Sequence, residues 1–306
     1  MRILITGGAG YIGTELTKAL SKLDSIKEII IYDNLWKSKY NLFTHSGISR
    51  EKVKFIKAEI LDSRQLKKAL ENVDIVYHLA AHVDSKLINA NHHLYEQINN
   101  WGTAELSYAI EDSNVKTIIN ASSIAVFGNN ENVITKQTNP SAKTYYGSSK
   151  LRGEEHITRL SDKINVYNLR IGNVYGFGTN MRMDTVINQF AFGAAFENRI
   201  KILGKGDQKR AFIHIDSLTE ILLGLLDSTF KTGTYNTVEN SYSILDIADE
   251  FKSIIPNMEM LFVNQHLKLR NIEVEADNKL NQLIKTDRTN LNGMLNNFIE
   301  RFYQSK

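Results

Sequence analysis

The chain has no cysteine and only two prolines among its 306 residues. Without cysteine there is no disulfide, no thiolate zinc site and no cysteine nucleophile, although that absence does not fix the compartment. Long apolar runs are also missing: none approaches the roughly 20 residues that a membrane-crossing helix needs. Neither sign of charge dominates, the net being +3, and no basic run or aromatic–basic stripe marks a nucleic-acid surface. There is no internal repeat, no low-complexity tract and no Pro-, Gly- or Ser-rich linker, so any two lobes must pack tightly. The opening stretch MRILITGG enters a strand at once and leaves no room for a signal peptide. The expectation is a soluble cytoplasmic protein with no membrane, metal or nucleic-acid partner.

What is present is apolar material, 42% of all residues, enough for a substantial core. It falls into short apolar runs at Arg2–Thr6, Glu28–Asp33, Val53–Ala58, Ile75–His78, Thr117–Ala121 and Val166–Arg170. Their nearly continuous apolar character suits strands covered on both faces, as in a parallel sheet. Helical periodicity occupies about 11–22, 63–72, 92–112, 145–160, 183–197, 216–227, 243–254 and 290–303. Strand and helix alternating in this way predict an α/β fold with a doubly wound parallel sheet. The alternation weakens after about residue 175. We therefore expect a first domain at 1–175, with 210–240 returning to it, and a smaller C-terminal α/β lobe over most of 176–306.

The stretch ILITGGAGYIG at 3–13 runs from a strand through a glycine loop into a helix. Gly8, Gly10 and Gly13 satisfy G-x-G-x-x-G, and Gly7 is an additional glycine. Small residues there let a pyrophosphate reach the helix N-terminus, where free N–H groups and the dipole attract anions. Asp33 ends the second strand 20 residues after Gly13. Its carboxylate can accept hydrogen bonds from adenosine ribose hydroxyls and would repel a 2′-phosphate, which favours NAD over NADP. Gly7, Gly10, Tyr11, Ile12, Gly13 and Asp33 are thus candidate cofactor residues.

YYGSSK at 145–150 places Tyr146 and Lys150 four apart, on one helix face, while Tyr145 points elsewhere. That spacing alone does not separate an acid/base pair from an ordinary helix start. Taken in chain order, however, TGGAGYIG (6–13), YDNL (32–35), HLAA (78–81), INNWGT (98–103), ASSIAVFG (121–128), YGSSK (146–150) and RIGNVYG (170–176) resemble the extended short-chain dehydrogenases, the NAD-dependent epimerase/dehydratase family. The resemblance extends to about residue 275 and implies a Rossmann-type domain that binds NAD.

The resemblance implies that Tyr146 is the general acid/base, that Lys150 stabilises its phenolate and holds the nicotinamide ribose, and that Ser123 hydrogen-bonds the same substrate oxygen. A free tyrosine titrates near pH 10, so such a base needs help. It further implies that Asn99 lies in the helix behind the site as a structural and relay residue of the cofactor side. Asn34 sits near the adenosine, and Glu59 and Ile60 near adenine, with glutamate where the family has aspartate. Leu79, Ala80 and Ala81 line the dinucleotide. Asn173, Arg210 and Arg270 are implied to grip a substrate diphosphate, which suits guanidinium forks. Ala211, Phe177 and Gly172 depart from the family pattern. His82, Asp84 and Lys86 follow HLAA on a loop expected to face the sugar; selection of substrate and plain exposure both stay open. The neighbouring pair His92 and His93 diverge on a helix and suit the surface better than a metal.

Dehydratases of the family carry a carboxylate beside the serine or threonine, whereas Ile124 and Ala125 follow Ser123 here. That leaves epimerisation or net reduction. Because Asp33 opposes NADPH, the expectation is an NAD-dependent epimerase of a nucleotide-diphospho-sugar, with a UDP-sugar and C4 implied by the resemblance. A nucleotide-sugar 4-ketoreductase or dehydrogenase and a non-catalytic NAD-binding regulator remain alternatives. A homodimer through the helices at 92–112 and 145–160 is also implied; their Leu94, Ile98, Trp101, Leu106 and Ile110 suit a core as well as an interface.

Overall fold

A computed structural model describes residues 1–44, 47–83, 92–130, 132–226, 229–266, 269–286 and 290–304. The six apolar runs form β1 (Arg2–Thr6), β2 (Glu28–Asp33), β3 (Val53–Lys57), β4 (Ile75–His78), β5 (Thr117–Ser123) and β6 (Asn165–Ile171). Six further strands follow: β7 (Asn173–Tyr175), β8 (Arg199–Leu203), β9 (Lys209–His214), β10 (Gly233–Thr237), β11 (Asn240–Ser243) and β12 (Glu259–Val263). A seven-stranded, wholly parallel sheet has the order β10-β6-β5-β4-β1-β2-β3. This is the doubly wound arrangement.

Burial on both faces explains the unbroken apolar strands. Ile3 and Ile5 point to one side, with Leu16 and Leu20 of the helix Tyr11–Leu20 and Leu218 and Leu222 of the helix Ile215–Gly224. Leu4, between them, points to the other, with Leu106 and Ile110 of the helix Gly102–Glu111 and Ile157 of the helix Tyr145–Thr158. Successive side chains alternate across a strand, so one run feeds two cores. Leu106 and Ile110 therefore serve the core, whereas Trp101 is 62% exposed.

Residues 210–240 divide between two sheets. β10 pairs with β6, and the helix Ile215–Gly224 packs on the first helix. By contrast, β9 joins β7 and β11 in a separate three-stranded sheet. The last lobe holds the parallel pair β8 and β12 and the helices Val186–Phe192, Ile244–Ile254 and Leu291–Gln304, packed through Phe190, Phe251, Leu295 and Phe298. Its strands escape sequence reading because they are short and half exposed; β8, RIKIL, buries only alternate residues. A capping box of Ser243 and Asp246 starts the helix Ile244–Ile254. Among the described residues no helix is long and apolar enough to cross a membrane.

Candidate active site

Chain direction reverses across the sheet between β1 and β4, and the loops leaving their carboxyl ends open a crevice there. A cleft of about 1510 Å³ runs along that edge, from Gly7 and Asp33 at one end to Arg210 at the other. Pockets for one small ligand are usually ~300–1,000 Å³. This one has room for two ligands end to end.

Backbone makes the first end. Gly7 has φ +72°, and a Cβ there would lie 2.6 Å from the Ala80 nitrogen. A Cβ on Gly13 would lie 2.6 Å from the Gly8 Cα, so the helix can seat on the loop only without a side chain. Gly8, the first glycine of the spaced motif, does not border the cleft; a Cβ there would meet Ile31 in the core, whereas Gly7, Gly10 and Gly13 do border it. Tyr11 and Ile12 both border the cleft; the Tyr11 ring is largely buried and its hydroxyl donates to the Gly176 carbonyl at 2.6 Å. Tyr11 thus ties the loop to the second lobe, and burial pushes its phenol well up.

Asp33 is preset by its own loop. One carboxylate oxygen accepts from the Ala9 N–H at 3.0 Å, the other from the Leu35 N–H at 2.7 Å. Burial raises its pKa, against those two hydrogen bonds. Lone pairs remain on both oxygens for further donors. Asn34 donates to Glu59 at 2.9 Å, so these two act as a unit beside Ile60. Leu79, Ala80 and Ala81 form the floor. A glycine cradle that leaves no room for a Cβ, a helix N-terminus and a carboxylate 20 residues on together fit a dinucleotide.

Beneath that floor lies a chain of hydrogen bonds. The Ala80 N–H donates to Thr6 Oγ1, Thr6 meets His78 Nδ1 at 2.7 Å, and His78 Nε2 meets Thr103 Oγ1 at 2.9 Å. Thr103 gives its own proton to the Asn99 carbonyl, so it must accept from His78, which fixes the proton on Nε2. The Asn99 amide in turn clamps His82, accepting from its N–H at 2.7 Å and donating to its carbonyl at 3.0 Å, and also donates to Ser149. Asn99 is fully buried and does not border the cleft. The structure therefore corrects its cofactor-side assignment: it holds the floor from behind. His82 itself borders the cleft, while Asp84 and Lys86 lie outside the described residues.

The reactive groups come from β5 and the helix Tyr145–Thr158, whose first turn is capped by the Thr144 hydroxyl accepting from the Gly147 N–H. Ser123, Tyr146 and Lys150 all border the cleft. Tyr146 is hydrogen-bonded to Ser123, and burial raises its pKa while the Ser123 hydroxyl and the Arg182 guanidinium lower it. Burial pushes Lys150 itself down to about 8, with Glu154 acting to raise it. Tyr145 is exposed and stacks edge-on against His92, away from the cleft.

At the far end Asn173 and Arg210 border the cleft. Asn173 donates to the Ala211 carbonyl at 3.0 Å, and a Cβ on Gly172 would press that same carbonyl at 3.0 Å, which accounts for the glycine. Phe177, the other departure, packs against Phe302 and Arg301. Burial and the nearby Arg270 charge push Arg210 down to about 10. Arg270 is exposed and outside the cleft lining, so the two arginines are neighbours but do not both face it. Sequence reading missed Arg182 and Asp184, which border the cleft as a two-point ion pair at 2.9 and 2.6 Å. They lie in an irregular stretch, NMRMDT, where no periodicity points inward.

The family model described as NAD dependent epimerase/dehydratase matches residues 3–238. An uncharacterized UDP-glucose epimerase of Bacillus subtilis is 28% identical over 239 residues, 76% of this chain and 75% of its own. The human dTDP-D-glucose 4,6-dehydratase is 30% identical over 264 residues, 83% of this chain and 74% of its own. Among solved structures, UDP-glucuronic acid 4-epimerase from Bacillus cereus, in complex with UDP-glucuronic acid and NAD, superposes with a TM-score of 0.85 at 25% identity, over 99% of this chain and all of that one.

Proposed function

The chain belongs to the NAD dependent epimerase/dehydratase family, and from that premise we propose that it is an NAD-dependent 4-epimerase of a nucleotide-diphospho-sugar, a UDP-sugar in the first instance. The observation that carries the choice is the end of β5. Tyr146, Ser123 and Lys150 meet there, and the cleft lining from Ala121 to Ala125 holds no carboxylate. Among the described residues, the carboxylates that border the cleft are Asp33 and Glu59, at the glycine-loop end, and Asp184, held by Arg182. None of these stands beside Ser123 to help expel water from a keto-sugar.

NAD, when bound, supplies a hydride acceptor and returns the hydride. The Gly7–Gly13 turn would hold its pyrophosphate, Asp33 its adenosine ribose, Asn34, Glu59 and Ile60 the adenine side, and Leu79, Ala80 and Ala81 its length. Tyr146 takes the proton from the sugar hydroxyl as the carbon is oxidised and gives it back to the ketone oxygen on either face. Ser123 donates to that oxygen and keeps it against Tyr146. The Lys150 ammonium, one helical turn on, would offset the phenolate charge, and the Arg182 guanidinium lowers the Tyr146 pKa where burial raises it. Arg210 and Asn173 would fix the diphosphate while the sugar turns over, and Arg270 would lend charge from the rim.

Purified protein incubated with a panel of nucleotide-sugars, without added cofactor, is expected to yield the 4-epimer by proton NMR. Stoichiometric NAD(H) conversion would instead make it a ketoreductase or dehydrogenase. Loss of water to a 4-keto-6-deoxy product would make it a dehydratase, as some relatives are.

The assembly follows the same reading. Trp101, Tyr108 and Tyr145 are at least half exposed on the two helical stretches expected to pair, and isolated large aromatics of this kind suit an interface core. We propose a homodimer, to be checked by sedimentation; a strictly monomeric protein at micromolar concentration would refute it.

A further inference from the structure

The helix that carries Tyr146 and Lys150 continues the same face with Glu154, four residues further on. Glu154 is 5% exposed, which is rare for a carboxylate without partners. It has two. Arg170 of β6 grips it with a fork, Nη2 to Oε2 at 2.8 Å and Nε to Oε1 at 3.0 Å. Ser122 of β5 donates its hydroxyl to Oε1. Ser122 and Arg170 lie opposite one another in the β5–β6 register, so a single carboxylate spans both strand ends. Ser123 follows Ser122 and points to the opposite face, toward Tyr146, and Asn173 follows two residues after β6.

We propose that Glu154, locked by Arg170, is a positioning residue for the Tyr146–Lys150 pair: it ties the helix to the ends of β5 and β6 and supplies the buried negative charge beside the Lys150 ammonium. This rests on the roles given above to Tyr146 and Lys150. Among the described residues, Glu154 is the anion that bears on Lys150. The cation paired with it is Arg170, and His78 on β4, on which the Lys150 charge acts, is held by burial at about 3 and hence neutral. Arg182 and Tyr95 bear on Tyr146 from other elements, and neither is an anion near neutral pH. A surface ion pair in place of this one would do little, since solvent screens it; a buried one acts at nearly full strength.

The expected consequence has a direction. Lys150 loses its proton near pH 8, and turnover should fall as pH rises through that point. Glu154→Gln keeps the shape, removes the anion, and should move that fall to lower pH by about one unit or more, with activity at pH 6 much less affected. The Lys150 ionisation itself can be followed by NMR of nitrogen-15-labelled lysine side chains, in the protein with NAD and without any sugar. Should Glu154→Gln fold poorly because Arg170 is stranded, the double variant Glu154→Met/Arg170→Met removes both charges, which act oppositely on Lys150, and should still lower its titration, by less, because Glu154 is the charge that bears on Lys150. A lowered Lys150 titration supports the proposal even if no sugar in the panel is turned over. An unmoved Lys150 titration, with activity reduced evenly at every pH, would overturn it and leave Glu154 a packing residue.

Discussion

The two ends of the cleft are built on different principles. At the glycine-loop end the contacts are backbone N–H groups and the absence of side chains, centred on one short turn, Gly7 to Gly13, on which Ala80 and Asp33 close: Gly7 against Ala80, Gly13 against Gly8, Asp33 against Ala9. At the far end the contacts are long side chains brought together from distant places: Arg182 from a loop, Arg210 from β9, Asn173 from β7. A local arrangement of backbone leaves a short spaced motif in the sequence. A collection of distant side chains leaves none. The first end can therefore serve one cofactor across a family, while the second can change substrate by single replacements.

If the division is right, replacements at the junction and at each end should fail differently. The largest effect belongs to Tyr146, where the two ends meet. Tyr146→Phe should lower turnover by about 10²–10⁴-fold, the usual worth of a positioned acid/base, while NAD binding followed by calorimetry stays near wild type. Retained turnover would remove Tyr146 from the chemistry. Next comes Gly13→Ala, in which a methyl meets backbone 2.6 Å away. Neither the Gly8 Cα nor the Gly7 carbonyl can swing aside, so the cost should be about 1–3 kcal/mol or more, with NAD affinity lost even where the fold survives. A smaller effect follows at the far end. Arg210→Met should raise KM for the nucleotide-sugar about tenfold to a hundredfold, given ~1.5–3 kcal/mol for charge-assisted hydrogen bonds. NAD affinity and kcat should change little; a matching loss of NAD affinity would mean the two ends are not separable.

The same division explains what could be read without a structure. Six strands, the sheet class and the Gly7–Gly13 turn were legible because β1 to β6 are apolar throughout and their period is short. Gly8 completes the spaced motif although it was not among the candidate cofactor residues, and only the structure shows why: a Cβ there would meet Ile31, whereas Gly7, Gly10 and Gly13 border the cleft. β8 and β12 were illegible because half of each faces solvent. Asn99 was read as a structural and relay residue of the cofactor side, and its place behind the floor depends on three hydrogen bonds to two partners, His82 and Ser149, at sequence distances of 17 and 50. Arg270 was paired with Arg210 from the resemblance, and it lies exposed outside the cleft lining. Arg182 and Asp184 had no motif to announce them.

The smallest predicted effect concerns the floor beneath the cofactor end, and it is one of pH. His78 is neutral in the fold, donating from Nε2 to Thr103 and accepting at Nδ1 from Thr6, and burial holds it at about 3 against an ordinary value of 6.5. Above pH 6.5 it is neutral in both the folded and the unfolded chain and contributes nothing to pH dependence. Below that point the unfolded chain takes up a proton that the fold refuses, so stability falls as pH falls, by at most about 1.4 kcal/mol per unit until the folded group also titrates. Urea midpoints at pH 7.5, 6, 5 and 4 should show this decline in the wild type. His78→Asn should be less stable at pH 7.5, having lost part of the chain from Ala80 to Asn99, yet its midpoint should fall less steeply between pH 6 and 4. Equal slopes in the two proteins would mean that the acid sensitivity lies elsewhere, and that the floor is held by the threonines and Asn99 without need of a neutral imidazole.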